Sequence, residues 1–173
     1  MDLDRRLTPS AFPGDDGQAT EATRRRLAEA EESSDPAPYL RAVAALCGDR
    51  VLVPVVATAT RVGTTVGGLS SDKEAEMAVV FLEAADGRRA MLAFTGLDSL
   101  RRWQSDARPV PVTLDLAAQT ARAEGVAAVL VDVAGPHPLI IEDEVLQSLA
   151  AGHRLYETGP GSFGWAVPGG PPE

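Results

Sequence analysis

The chain is predicted to fold as a single α/β domain, with an α+β arrangement as the alternative. It should have a mixed sheet of about five strands that includes a central β-hairpin, flanked by three to four helices. Three observations predict this. Short β-branched runs alternate with amphipathic stretches between residues 36 and 156. Gly48, Gly125 and Gly152 stand just past three of the amphipathic stretches, where helices stop. Residues 76–94 form two apolar runs around Asp86-Gly87, the strongest local hairpin signal in the chain.

Residues 1–35 carry five arginines and nine acids and read as an acidic leader, partly disordered or a polar helix. Within it, FPGDDGQ (12–18) is turn-like, and the stretch Thr20 to Glu32 has helical character. Leu27 is its one large apolar side chain, so this helix is expected to be solvated or to bind a partner. Asp35-Pro36 then supplies an N-cap and a proline at the first helical position, opening a helix to Ala45 or Leu46 with Tyr39, Val43 and Leu46 on one stripe. RVLVPVVA (50–57) reads as a strand, and Pro54 within it predicts an edge position or a bulge. The stretch Thr58 to Ala75 has no clear element and is long enough to be a functional loop or disordered.

In the hairpin, Met77, Val79 and Phe81 alternate with Ala78, Val80 and Leu82. Two apolar faces predict cover on both sides, and Asp86 and Gly87 are expected to share the positive-φ positions of a tight turn. Leu97, Leu100 and Trp103 mark a short helix, and Pro109-Val-Pro-Val an extended connector. A helix with Ala117, Ala118 and Ala121 on its inner face spans 115–124; strands follow at 126–133 and 138–141. Glu142, Asp143 and Glu144 then suit a helix N-terminus, with Val145, Leu146 and Leu149 inward. The domain is expected to cover 36–156. Residues 157–173 read as a Gly/Pro-rich tail unable to hold a regular element, whose Phe163 and Trp165 either pack back or anchor a partner.

Composition excludes whole classes of function. A net charge of −9 with a single lysine, Lys73, and no basic stripe argues against a nucleic-acid partner. No apolar run approaches the roughly 20 residues of a membrane span. MDLDRRLTPS lacks the apolar core of a secretory signal, so a cytoplasmic location is expected. One cysteine, Cys47, allows neither an internal disulfide nor a thiolate cluster, and two histidines fit no metal-ligand spacing. No metal or cofactor is expected.

The motifs fail their context tests. Gly159 to Gly164 matches G-x-G-x-x-G with no helix after it; Gly63 to Gly68 lacks the phosphate-binding lysine. Ser70-x-x-Lys73 stands without its companion motifs in a chain that has no asparagine. One catalytic arrangement stays open as the alternative. Asp132 closes a buried strand, His137 follows five residues later, and Ser70 or a neighbouring loop serine would be the nucleophile of a small-molecule hydrolase. Against it stands the absence of a G-x-S-x-G elbow, and His137 lies between two prolines in a turn. Without a convergent catalytic set, the leading reading is a non-enzymatic binding or regulatory module, acting on a protein partner or by self-association. Its candidate binding residues are Arg61, Thr64 and Thr65 in the long loop, Trp103 beside Arg101 and Arg102, and Phe163 and Trp165.

The order of these elements resembles the SseB N-terminal-domain family. The resemblance is carried by MAVVFL (77–82), DGRRAMLAFT (86–95) and Leu97, Leu100 and Trp103 in the pattern F-T-x-L-x-x-L-x-x-W. ARPVPV (107–112), Glu124-Gly125, AVLVDVAGP (128–136) and AAGHRL (150–155) extend it over about residues 36–156. The match looks like the actinobacterial branch, whose codon bias would explain fifteen arginines to one lysine. The resemblance implies the α/β fold. The family takes its name from a serine-sensitivity phenotype, and it brings no catalytic residues to carry over.

Overall fold

The computed structural model describes residues 12–58 and 76–167. In chain order these form α1 (Glu21–Glu31), α2 (Pro36–Gly48), β1 (Arg50–Thr58), β2 (Glu76–Val79), β3 (Phe81–Glu83), β4 (Arg89–Ala93), α3 (Leu97–Trp103), β5 (Arg108–Thr113) and α4 (Leu114–Ala123). The chain continues through β6 (Ala128–Val131), β7 (Leu139–Glu142), α5 (Asp143–Ala150), β8 (Arg154–Gly159) and β9 (Ser162–Ala166). The α/β class and the mixed sheet are as the sequence predicts.

Three strands run in the order β2-β1-β5 and four in the order β3-β4-β6-β7. Among the described residues only β4 and β6 are parallel; every other pairing is antiparallel. An antiparallel bridge between Leu52 and Phe94 joins the two sheets. The predicted hairpin is central in this topology, because its first arm supplies both β2, beside β1, and β3, beside β4.

Pro54 explains how that arm divides. It lies within β1, an interior strand, and not at the expected edge. Leu52 exchanges both backbone hydrogen bonds with Phe94, at 2.7 and 2.9 Å. Alternate residues of β1, Pro54 included, therefore turn their backbone polar groups away from β5. Pro54 faces Pro109 across that ladder, where a missing N–H costs nothing. On its other side the Val80 N–H donates to the Pro54 carbonyl at 3.4 Å, while the Val80 carbonyl accepts from the Leu92 N–H at 3.5 Å. With no proline N–H to engage it, that carbonyl turns to β4, and the arm changes partner at Val80. The Pro109 connector is likewise a strand, β5, whose prolines sit on the outer edge of its sheet.

The hairpin's tip departs from expectation. Only Gly87 adopts positive φ, at +80°, and its N–H closes a turn on the Ala84 carbonyl at 2.9 Å. The connection is thus longer than a two-residue turn. Leu82 is exposed there, so the hairpin is not covered on both sides along its whole length.

The main core lies on one sheet face, where Val51, Met91, Val129 and Ile141 meet Val43 and Leu46 of α2, the alanine face of α4, and Leu146 and Leu149 of α5. A second cluster on the other face packs Leu52, Leu92 and Phe94 under Leu100 of α3. Trp103 seals it, 5.6 Å from the Phe94 ring at 33°.

Both chain ends correct the sequence reading. The polar helix α1 is docked, not solvated: Thr23 and Leu27 are buried, Leu27 in the main core. Ala30 packs against the same core, and polar tethers add to it, with the Thr20 and Thr23 hydroxyls both donating to Asp49. The described part of the expected tail carries regular structure, since β8 and β9 pair through Ala166. Gly159, Pro160 and Gly161 fall at the turn between the two strands, with Phe163 and Trp165 at alternate positions of β9; the remaining prolines of the tail lie outside the described residues. Both aromatics pack against the main core, Trp165 opposite Leu155.

That packing is measurable. Trp165→Ala should lower the unfolding free energy by about 2 kcal/mol, roughly half the figure for a fully buried tryptophan. Urea unfolding followed by far-UV circular dichroism checks it; an unshifted midpoint would mean the hairpin adds no stability.

Candidate functional site

The loops leaving the parallel strands β4 and β6 begin at the same end of the sheet, the end where α/β proteins gather functional groups. Asp132 follows β6 with its side chain buried and its backbone in the left-handed region, at φ +51°. Its N–H donates to the Ala93 carbonyl at 2.9 Å, and its own carbonyl accepts from the Gly135 N–H at 2.7 Å. Gly135 is required in that turn, because a Cβ there would lie 2.9 Å from the Asp132 Cβ.

The carboxylate is held by three donors. Oδ1 accepts from the Thr95 N–H at 2.9 Å and the Ser99 hydroxyl at 2.6 Å, and Oδ2 accepts from the Thr95 hydroxyl at 2.6 Å. A buried carboxylate needs such a set in place of water. Arg24 of α1 approaches from above and pairs with Asp98. The hydrogen bond to Asp98 raises the guanidinium's pKa, with a smaller contribution from the Asp132 charge. The same bond holds the Asp98 carboxyl below the ordinary carboxylate range. Between these groups lies a cavity of about 10 Å³, room for one water-sized sphere, lined by Arg24, Leu27, Ser99, Asp132, Pro136 and His137.

His137 therefore lies at the same cavity as Asp132, yet its Nδ1 meets Glu31 Oε2 of α1 at 2.6 Å. The serine at the cavity is Ser99; Ser70, with Arg61, Thr64 and Thr65, lies outside the described residues. Trp103, Phe163 and Trp165 are partly buried core contacts. Thr95, Ser99, Arg24 and Asp98 were missed in the sequence. Their one signal was a pair of hydroxyls four residues apart, with Asp98 between them, in F-T-G-L-D-S-L.

A second concavity is larger and open, a cleft of about 620 Å³ between residues 12–18 and the body. Arg50 fastens its outer wall: Nε and Nη2 bind the two Asp15 oxygens at 2.8 and 2.9 Å, Nη2 reaches the Gln18 carbonyl at 2.8 Å, and Nη1 donates to the Thr95 carbonyl. This pairing holds the Asp15 carboxyl below its usual range. Arg154, bound to Asp115 at 3.2 Å, keeps 42% of its side chain exposed at the cleft. Cys47 lines it too, but burial pushes its thiol up to about 11, away from reactivity. Among the described residues no cluster of histidine, cysteine and carboxylates could hold a metal ion, and no helix is long and apolar enough to cross a membrane.

The family model for the SseB protein N-terminal domain matches residues 24–148, most of the chain, and the chain belongs to that family. The matched span includes Thr95, Ser99, Asp132 and His137; residues 12–18 and the β8–β9 hairpin lie outside it. No curated protein and no solved structure matches the chain.

Thr95→Val keeps the side-chain shape but strips Asp132 Oδ2 of its donor. It should lower stability by about 1–3 kcal/mol in urea unfolding at neutral pH. The lowered carboxyls of Asp15 and Asp98 set a pH dependence of defined sign. Their folded pKa values lie below the unfolded 3.8, so their stabilisation is complete above that pH and is lost as pH falls through the folded values. Urea midpoints measured from pH 5 downward should fall steeply for the native chain and less steeply for Asp15→Asn.

Proposed function

Taking SseB-family membership as the premise, we propose that this domain is a non-enzymatic binding or regulatory module. It acts in the cytoplasm on a protein partner or by self-association. The observation that carries this reading is the commitment of the side chains that catalysis would need. Asp132 is saturated by donors from Thr95 and Ser99, His137 Nδ1 faces Glu31, and the Cys47 thiol is buried and protonated. The open cleft beside Arg154 is the binding surface, since it sets a half-exposed cation and several polar side chains beside the apolar Phe12, Pro13 and Cys47.

One observation favours a hydrolase: Ser99, Asp132 and His137 line a single cavity. A nucleophile must hand its proton to a base, however, and the Ser99 hydroxyl is engaged by Asp132 Oδ1 at 2.6 Å and the Gly96 carbonyl at 3.0 Å, with no hydrogen bond to the His137 imidazole. The loop serine of the sequence reading would have to come from outside the described residues.

The two readings separate in one set of measurements on the full chain. A panel of activated esters should hydrolyse at the buffer rate with native protein and with His137→Ala. Chemical cross-linking should trap a partner or a self-associated species that Arg154→Glu loses. Ester turnover above buffer that disappears in His137→Ala would sink the binding reading.

A further inference from the structure

We propose that the sheet face under α3 is an interface between two copies of this chain, stacked face to face about a twofold axis at Ile140. The main-core face of the sheet β3-β4-β6-β7 is covered by α1, α2, α4 and α5. Among the described residues α3, seven residues long, is the one helix on the opposite face. Beyond α3 the two edge strands expose Leu82 of β3 and Ile140 of β7, at 41% and 45%. The strand register sets both on this face, Leu82 opposite Ala90 and Ile140 opposite Leu130, which itself neighbours Leu92. A sheet face made for water carries polar side chains at these positions. This one carries aliphatic side chains on all four strands, and such a patch is an interaction surface.

The charges at the two ends of the strip identify its occupant. Arg102 is exposed, and its Nη1 donates to the Ala134 carbonyl at 3.3 Å, which holds the guanidinium beside the loop that leaves β6. Glu142 lies at the other end, two residues along β7 from Ile140 on the same face, opposite Ala128. Neither has an ion-pair partner among the described residues. Asp98 of α3 is taken by Arg24, and Arg88, which the Glu142 charge also reaches, is bound to Asp86. Asp106 belongs to the turn into β5, in the other sheet. An axis crossing the strands brings Arg102 of each copy onto Glu142 of the other, with Ile140 against Ile140 between them. A twofold contact needs a patch that complements itself, and a basic, an apolar and an acidic group in line make one. Stacking suits β7 better than edge-to-edge pairing, since its edge is only four residues long and follows a proline. The face is separate from the cleft at Arg154, and the proposal stands whether or not that cleft binds anything.

Sedimentation velocity on the full chain over a concentration series tests this. The native chain should dimerise, and Ile140→Glu, a change at an exposed position, should weaken the dimer by about tenfold or more. Arg102→Glu and Glu142→Lys should each weaken it too, because each sets like charges together at both ends of the contact. An equimolar mixture of those two variants should recover the native affinity, since a mixed pair has opposite charges at both ends. Far-UV circular dichroism checks that each variant is folded, and the mixture decides the matter if Ile140→Glu is not. Arg154→Glu should leave the dimer intact; a dimer lost in that variant would overturn the proposal and place the contact in the cleft. A native chain that stays monomeric at every concentration would overturn it, with the strip covered from within the chain or by another protein. A dimer indifferent to Ile140→Glu, or a mixture no stronger than either variant alone, would overturn it as well.

Discussion

The rest of the fold hangs on the contact between Thr95 and Asp132. Thr95 gives its N–H and hydroxyl to the Asp132 carboxylate and takes an Arg50 N–H on its carbonyl. Through that one residue the ends of β4 and β6, the start of β1 and the segment 15–18 are fixed to each other. Ser99 adds α3 to the set. The parallel pairing of β4 and β6 aligns Ala93 with Val131, which brings the two loop residues into register. The contact therefore depends on the sheet as much as the neighbouring elements depend on it.

The prolines of β1 and β5 act on the same architecture from the other side. In an antiparallel ladder only alternate residues turn their polar groups toward a given neighbour. Pro54, Pro109 and Pro111 occupy positions where the absent N–H would not have joined β1 to β5. The unmet carbonyl of Val80 then directs the hairpin arm to β4, next to the strand that ends at Thr95. A residue that weakens one ladder thus makes the link between the two sheets.

Legibility in the sequence followed the range of the interaction. The Asp35-Pro36 start, the Leu97, Leu100 and Trp103 stripe and the alanine face of α4 are local patterns, and each was readable. The docking of α1 was not, because one leucine makes no periodicity and its polar tethers join it to residues far along the chain, Asp49 and Asp98 among them. The β8–β9 hairpin was hidden because glycine and proline density outweighed the alternation of Phe163 and Trp165. At the site, Asp132 was legible as an acid closing an apolar strand. Its partners were not: Thr95 lies 37 residues away, and Glu31, the partner of His137, lies 106 away.

The Asp132 network is all-or-none, which is why it serves the fold before it can serve chemistry. Taking a carboxylate from water is costly, and the left-handed backbone adds about 1–2 kcal/mol for a residue other than glycine. An apolar residue at 132 would avoid the first cost. It would also strand the Thr95 N–H and hydroxyl in the interior without an acceptor, leaving the Ser99 hydroxyl only the Gly96 carbonyl, and each stranded donor is a loss comparable to the gain. Single changes therefore move the network to a worse state, and only a concerted replacement of all three residues escapes. A carboxylate so held is not a free base, because the donors that engage it, Thr95 and Ser99, are themselves fixed in the body of the domain.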